Sequence, residues 1–287
     1  WFLVGPEEAR LAGIVRRLPG CGSERLERDL LAGVLPTILE TTRPRAVVHA
    51  HPDGSDGTGL VLSEFRRRNM PADYIAIGTD GTAVREAVQR AMREGTTAAR
   101  GTIADPAVEM PTELGRARPR LVLCLGNALG RYTRLGAVRM LRAVRATMAP
   151  GESLLLGVDL RNDVQALEMA FNDTTGVIGE YHKRVLAAAS RELNATFDVE
   201  RFDFRVVYDV EGRRLEMCLV ARDAHDVDVP GLGTLALRRG ELIRTAASAT
   251  FSRGSIAGML TGVGFDLRGW VPDAADSYAI AVAAPAV

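Results

Sequence analysis

The residues in this 287-residue chain that could do chemistry are an arginine at the lip of a glycine turn, a few carboxylates and a scatter of histidines. The run LCLGNALGRY (123–132) is an apolar stretch that stops at Gly126-Asn127 and closes on Gly130, Arg131 and Tyr132. Glycines there let a backbone approach a ligand closely, and a guanidinium forks onto a carboxylate, sulfate or phosphate. A buried cation requires an anionic partner, so Arg131 reads either as an anion-binding residue or as half of an internal ion pair, for example with Asp173. Asp173, in FND (171–173), and Glu180 are candidates for a general base if burial raises their pKa; helix capping and a surface ion pair are the plainer roles. Glu216 and Met217 are neighbours in an alternating stretch, where only one of the two can face a pocket. His49 and His51 alternate at one strand end, but no acid or cysteine stands at ligand spacing, so no metal site is read there. His182, beside Lys183, reads as part of a solvated helix face. No nucleophile elbow or Ser-His-Asp order points to hydrolysis.

The elements that must position these groups alternate. ERLERDLLAGVLPTILE (24–40) places Leu26, Leu30, Leu31 and Leu35 at helical spacing. AVVHA (46–50) is a β-branched strand that breaks into the Asp- and Gly-rich loop HPDGSDGTG, and LVLSEFRRR returns to helical spacing. The cycle repeats through the strand YIAIG (74–78), a helix opened by Asp80, the strand LVLCLG (121–126), a further helix and SLLLGVDL (153–160). Strands and helices alternating at this spacing imply a parallel sheet covered on both faces. Beyond Asp159 the texture changes: residues 164–194 read as helical, and FDVERFDFRVVYDVEGRRLEMCLVARD alternates around Glu211-Gly212 as an antiparallel hairpin. LRGW and YAIAVAA close the chain as a strand pair. The expected architecture is therefore α/β, a nucleotide-binding-type domain with an α+β portion inserted in it.

Composition narrows the partners. The formal net charge is zero, so no basic face exists to neutralise a nucleic-acid backbone, and no membrane partner is expected, because no apolar stretch reaches the ~20 residues of a membrane span. Cys21, Cys124 and Cys218 are an odd, widely spaced set, which argues for reduced thiols and against a disulfide framework or structural zinc. With no signal-peptide pattern at the start, a cytoplasmic protein is expected.

The ordered blocks LPGCGSERLE (18–27), LCLGNALGR, LLLGVDLRNDVQALEMAFNDTTGV (154–177), RELNATFDVERF (191–202), RRLEMCLVAR (213–222) and GELIRTAASATFS (240–252) resemble the ergothioneine-pathway histidine Nα-methyltransferases. The resemblance implies a Rossmann-like class I methyltransferase fold dependent on S-adenosylmethionine (SAM), with an inserted α+β substrate domain. It places the methyltransferase-type domain at 26–160 and 252–287 and the substrate-recognition domain at 1–25 and 161–251. It also assigns substrate contacts to Gly126, Asn127, Phe171, Met217, Ala246 and Ser248. Gly126, Met217 and Ser248 match the family pattern. Arg131 stands where the family turn ends in an asparagine, Phe171 where a tyrosine binds the substrate carboxylate, and Ala246 where a glutamate meets the imidazole. Cys21-Gly22 replaces a paired tyrosine. On the cofactor side the first turn lacks the acid and spacing of E-x-G-x-G, leaving Gly54 in the loop and Asp80 after the second strand as cofactor-binding candidates if SAM binds.

These departures point away from histidine and toward weakened SAM binding. The leading expectation is a repurposed methyltransferase-fold enzyme of specialised metabolism that needs no cofactor and acts on an amino-acid derivative without methyl transfer. The chemistry envisaged is ring closure with loss of an anionic group, as in aziridine-forming, sulfate-eliminating enzymes. In that reading Arg131 stabilises the departing anion and Asp173 takes the proton of the attacking amine. Two alternatives stand beside it: a SAM-dependent N-methyltransferase of an amino acid other than histidine, and a non-catalytic subunit that works with a partner chain.

Overall fold

The computed structural model describes residues 6–18, 23–52, 57–111, 114–172 and 175–286. The chain divides into two compact units, one made of Ser23–Arg161 with Ala249–Val287, the other of Trp1–Gly22 with Asn162–Ser248.

In the first unit the strands with continuous apolar sequence form the sheet centre. β1 (Ala46–Ala50), β4 (Arg120–Cys124) and β5 (Ser153–Asp159) are buried along their whole lengths, as strands covered on both faces must be. With β2 (Asp73–Gly78), β3 (Ala98–Ile103), β11 (Phe265–Pro272) and β12 (Tyr278–Pro285) they form a seven-stranded sheet in the order β11-β12-β5-β4-β1-β2-β3. β1 to β5 are parallel, as the sequence predicts for β1, β2, β4 and β5; β3 is a further parallel strand at the edge that it does not mark. The closing pair is not: β12 runs antiparallel to β5 and β11 antiparallel to β12, so the sheet is mixed.

Strand alternation divides the core in two. Val48, Val122, Cys124, Leu154 and Leu156 pack with Met140, Leu141 and Val144 of α5 (Arg134–Thr147) and Ile256 and Leu260 of α8 (Arg253–Thr261). On the opposite face Val47, Leu121, Leu123 and Leu155 meet α2 (Glu24–Thr42), α3 (Gly57–Arg67) and α4 (Gly81–Arg93) through Leu31, Leu35, Val61, Phe65 and Val84. Each such side chain fully removed from water contributes about 1.5–3 kcal/mol, which is what seats the strand ends that carry the site.

The second unit contains α1 (Pro6–Arg17), α6 (Val164–Phe171) and α7 (Val177–Leu193). Its three-stranded sheet runs β10-β7-β6, from β6 (Phe202–Asp209), β7 (Arg214–Ala221) and β10 (Leu242–Ala249), and a hairpin joins β8 (His225–Val229) to β9 (Gly233–Leu237). The β6–β7 pairing is the hairpin expected around Glu211-Gly212. The continuous helix expected over 164–194 is instead two helices, with Gly176 in a left-handed conformation (φ 72°) before the second. Among the described residues no helix is long and apolar enough to cross a membrane.

Candidate functional site

In an open parallel sheet, ligands bind outside the carboxyl ends of the strands where strand order reverses. Here the reversal lies between β1 and β4. β4 stops at Cys124, and Gly126 (φ 65°) and Asn127 (φ 52°) both turn left-handed before a 3-10 turn over Ala128–Arg131.

That turn is held from below by one buried carboxylate. Glu27 of α2 is 1% exposed, and its Oε2 accepts the Gly126 amide at 2.6 Å and the Tyr278 hydroxyl at 2.5 Å. Burial, reinforced by the charge of Glu27, raises the Tyr278 pKa well above its ordinary value, so the phenol stays a donor. The Asn127 side chain is also occupied: Nδ2 donates to the Ala249 carbonyl at 3.0 Å, and Oδ1 accepts the Asp159 amide at 3.2 Å. Asn127 therefore fastens the scaffold. At Gly130 a side chain would collide with Asn127 and would stand 2.8 Å from the Ala249 carbonyl. The sequence reading passed over Glu27, although Glu27, Leu31 and Leu35 share one helix face, and an acid on an otherwise apolar stripe was the available signal.

Arg131 differs from its expectation. It is exposed at the end of the 3-10 turn and forms no ion pair among the described residues, so it is not a buried cation in need of a counter-charge. The anionic partner suggested for it, Asp173, lies outside the described residues, as do Gly54 and Cys21.

Beside this turn three strand ends meet through side chains. Tyr132 donates to Asp105 Oδ1 at 2.6 Å, and its hydroxyl also contacts His51 Nε2. His51 has left-handed backbone (φ 58°), and its amide donates to the Ile77 carbonyl at 2.7 Å. Burial first, then the charge of Arg131, lowers its pKa to about 4 against the opposing pull of Asp105, so the ring is neutral. Burial and Asp105 likewise raise the Tyr132 pKa, keeping its proton in place. His49 points elsewhere, to the Tyr74 hydroxyl at 3.0 Å and Thr58 Oγ1 at 2.9 Å, and the two histidines share no ligand. Asp80, just past the end of β2, is the N-cap of α4; both of its bonds, from the amides of Thr82 (2.8 Å) and Ala83 (3.1 Å), fall on Oδ1.

In the other unit, Phe171, Met217 and Ala246 come together in one apolar cluster with Leu167, Ile178, Val206 and Leu215, while Ser248 is half-buried on β10. Glu216, alternating with Met217, turns to Arg214 (2.5 Å) and Arg244 (2.7 Å). Glu180 forms an exposed ion pair with Arg184 at 2.8 Å, which leaves it without the burial a general base would need. His182 contradicts the solvated-face reading: it is 3% exposed, stacked on Phe204 at 5.0 Å, with Nδ1 2.8 Å from Thr245 Oγ1. Thr245 gives its own proton to the Met217 carbonyl at 2.9 Å, so Nδ1 carries the hydrogen and Nε2 is bare. Burial lowers the His182 pKa to about 4.

Residues 16–285 match the family of histidine-specific, SAM-dependent methyltransferases. The chain is 29% identical to the histidine N-alpha-methyltransferase of Mycobacterium tuberculosis, over 99% of this chain and 88% of that protein. It is 27% identical to the enzyme of the same name from Mycolicibacterium smegmatis, over 94% and 84%. Among solved structures it is similar in fold to a SAM-dependent methyltransferase from Clostridium acetobutylicum (TM-score 0.53, 9% identity, 91% of this chain and 92% of that one). A second similar fold is the CcbJ methyltransferase from Streptomyces caelestis (TM-score 0.50, 13% identity, 96% of each chain). The fold is thus α/β, Rossmann-like and of the class I methyltransferase type. The family match overturns the leading sequence expectation on both counts: the family transfers methyl groups, so aziridine formation by sulfate elimination falls, and it depends on SAM, so a chain without a cofactor falls with it. The exposed Arg131 removes the physical ground for that expectation as well.

Proposed function

The chain belongs to the histidine-specific, SAM-dependent methyltransferase family, and from that premise we propose that it methylates the α-amino nitrogen of an amino acid whose side chain is less polar than imidazole. The observation that carries the substrate half is the company Ala246 and Phe171 keep. The positions that resemblance gives to a glutamate and a tyrosine are held by Ala246 and Phe171, which lie in one apolar cluster with Met217. Burying an unpaired polar ring there costs free energy, whereas an aliphatic or aromatic side chain gains about 25 cal/mol per Å² removed from water.

The residues at the carboxyl edge of the sheet suit SAM by their chemistry. Asp80 keeps Oδ2 outside its two capping bonds, an acceptor for ribose hydroxyls at the end of β2. α3 opens on Gly57 with no acid of its own in its first turn, and a helix N-terminus favours a carboxylate such as that of the methionine end. When bound, SAM supplies a methyl group on a positively charged sulfur. This chain's own residues then have to present a neutral amine and hold the rest of the amino acid. In this reading Arg131, exposed where the family turn has an asparagine, takes the substrate carboxylate as a bidentate pair. Glu27, through Gly126, holds the turn that presents it.

Two measurements test the reading. Calorimetric titration of the purified chain with SAM is expected to show micromolar binding. Incubation with SAM and a panel of amino acids, read by mass spectrometry for a product one methylene heavier, is expected to favour apolar side chains over histidine. Preference for histidine would refute the substrate half alone, and no methylated product from any amino acid by a SAM-binding sample would refute the reaction.

A further inference from the structure

The contacts among His51, Tyr132 and Asp105 admit one arrangement of protons in which every donor faces an acceptor. A carboxylate oxygen only accepts, so Tyr132 gives its single hydroxyl proton to Asp105 Oδ1 at 2.6 Å. Its oxygen is then an acceptor toward His51, and Nε2 must carry the hydrogen that fills that contact. The ring is neutral, because burial and Arg131 hold its pKa near 4, so this is its only proton. Nδ1 is left as a lone pair, with no partner among the described residues. The backbone fixes the ring's root as firmly. His51 continues the pairing of β1 with β2 through its amide and sits at φ 58°, a conformation that asparagine and glycine accept more readily than histidine.

We propose that His51 Nδ1 is a hydrogen-bond acceptor for bound SAM, taking its ammonium group or a ribose hydroxyl, and that Tyr132 and Asp105 are positioning residues that lock the tautomer. The inference rests on the SAM-dependent reading above. It follows from place as well as from protonation. His51 directly follows β1 at the reversal point, beside the end of β2 that leads to Asp80 and the end of β4 that leads to Gly126. A neutral imidazole there offers an acceptor where the family's first turn carries an acid. Asp105 supplies the negative charge one hydroxyl away, relayed through Tyr132 as a stronger acceptor at the ring.

The test uses the full chain and reads two quantities. Nitrogen NMR of the ligand-free protein, with the His51 signals assigned by their loss in His51→Asn, is expected to show Nε2 protonated and Nδ1 bare; the Nδ1 signal is expected to move on titration with SAM. Calorimetry is expected to show that Tyr132→Phe binds SAM about tenfold more weakly, as loss of one orienting hydrogen bond would give. His51→Gly and His51→Asn both suit the left-handed backbone, but only the asparagine keeps an oxygen in the place of Nδ1, so His51→Asn is expected to bind more tightly than His51→Gly. A ligand-free ring protonated on Nδ1 overturns the proposal, and so does wild-type-like SAM affinity in Tyr132→Phe and His51→Gly while the wild type binds. A folded wild type that binds neither SAM nor its demethylated product removes the parent reading and this proposal together, a result distinct from the other two.

Discussion

Replacing Glu27 by glutamine tests whether one carboxylate holds the turn at the end of β4. The glutamate accepts from the Gly126 amide at 2.6 Å and from the Tyr278 hydroxyl at 2.5 Å, both on Oε2, at 1% exposure. Hydrogen bonds to a charged group contribute about 1.5–3 kcal/mol each and neutral ones about 0.5–1.5, so a glutamine that placed its oxygen where Oε2 lies would lose about 1 kcal/mol per bond, or about 2 kcal/mol in all. A glutamine with its nitrogen there would set donor against donor and lose more. In a domain of this size about 2 kcal/mol lowers Tm by roughly 4–8 °C. The assay is differential scanning calorimetry at neutral pH on Glu27→Gln, Tyr278→Phe and the double variant, with the Gly126 amide shift followed by NMR. The single variants are expected to be non-additive, because removing Tyr278 already removes one of the two bonds. A Glu27→Gln melt within about 1 °C of wild type, well short of that estimate, together with an unmoved Gly126 amide, would refute the argument that this carboxylate organises the turn.

The remaining expectations concern the second unit and the lip of the first. His182 has its folded pKa depressed to about 4 from 6.5, so the unfolded chain binds more protons between those values and stability is lost as pH falls through that window. Melts from pH 7 to pH 4.5 should show that slope, and it should flatten in His182→Asn; an equal slope in both would exclude His182 as a source. Thr245→Val strips the acceptor from His182 Nδ1 and is expected to destabilise by about 1–3 kcal/mol in urea unfolding, the cost of an unmet buried donor. Arg131→Ala should raise the KM for the amino acid severalfold while leaving the calorimetric affinity for SAM unchanged; a change confined to SAM would place the guanidinium at the wrong ligand. Ala246→Glu, which sets a carboxylate beside Met217, should move the amino-acid preference toward histidine in competition assays, and an unaltered ratio would show that this position does not read the side chain.

The parts of this architecture that could be read from the chain are those whose burial is two-sided. β1, β4 and β5 announce themselves as uninterrupted apolar runs because both faces are covered. β3 does not, because AARGTI is an edge strand whose residues are exposed or half-buried, leaving no hydrophobic pattern to find. The break between α6 and α7 escaped because helical spacing continues on both sides of it. The burial of individual side chains is hidden for a different reason. The burial of His182 depends on Phe204 from a strand distant in sequence, which reaches the helix where Gly179 leaves room, its Cβ only 3.1 Å from where a side chain there would begin. Neither partner carries a local signal of the other. Arg131 is exposed where burial is expected, because a glycine turn looks the same in sequence whether its last residue is buried or exposed. The motif blocks, by contrast, pointed to the family from several ordered matches at once, and the family match bears that out. The departures within those blocks carried too much weight against the cofactor.

Asn127 has a consequence for how this chain can change. Its side chain grips the Asp159 amide and the Ala249 carbonyl, and the Phe251 amide closes on the Asp159 carbonyl at 2.8 Å. Those are the points where the chain leaves the first unit and returns to it. The segment between Asn162 and Ser248 therefore leaves and re-enters the first unit through one pinned gap, a suspended stretch like a bight of rope through a cleat, while residues 1–22 of the second unit join the first at Ser23. Loop-closure entropy grows only with the logarithm of loop length, so lengthening or exchanging the suspended segment changes little for the sheet that holds it. The fastening stays constant, and the part it releases is the part free to diverge.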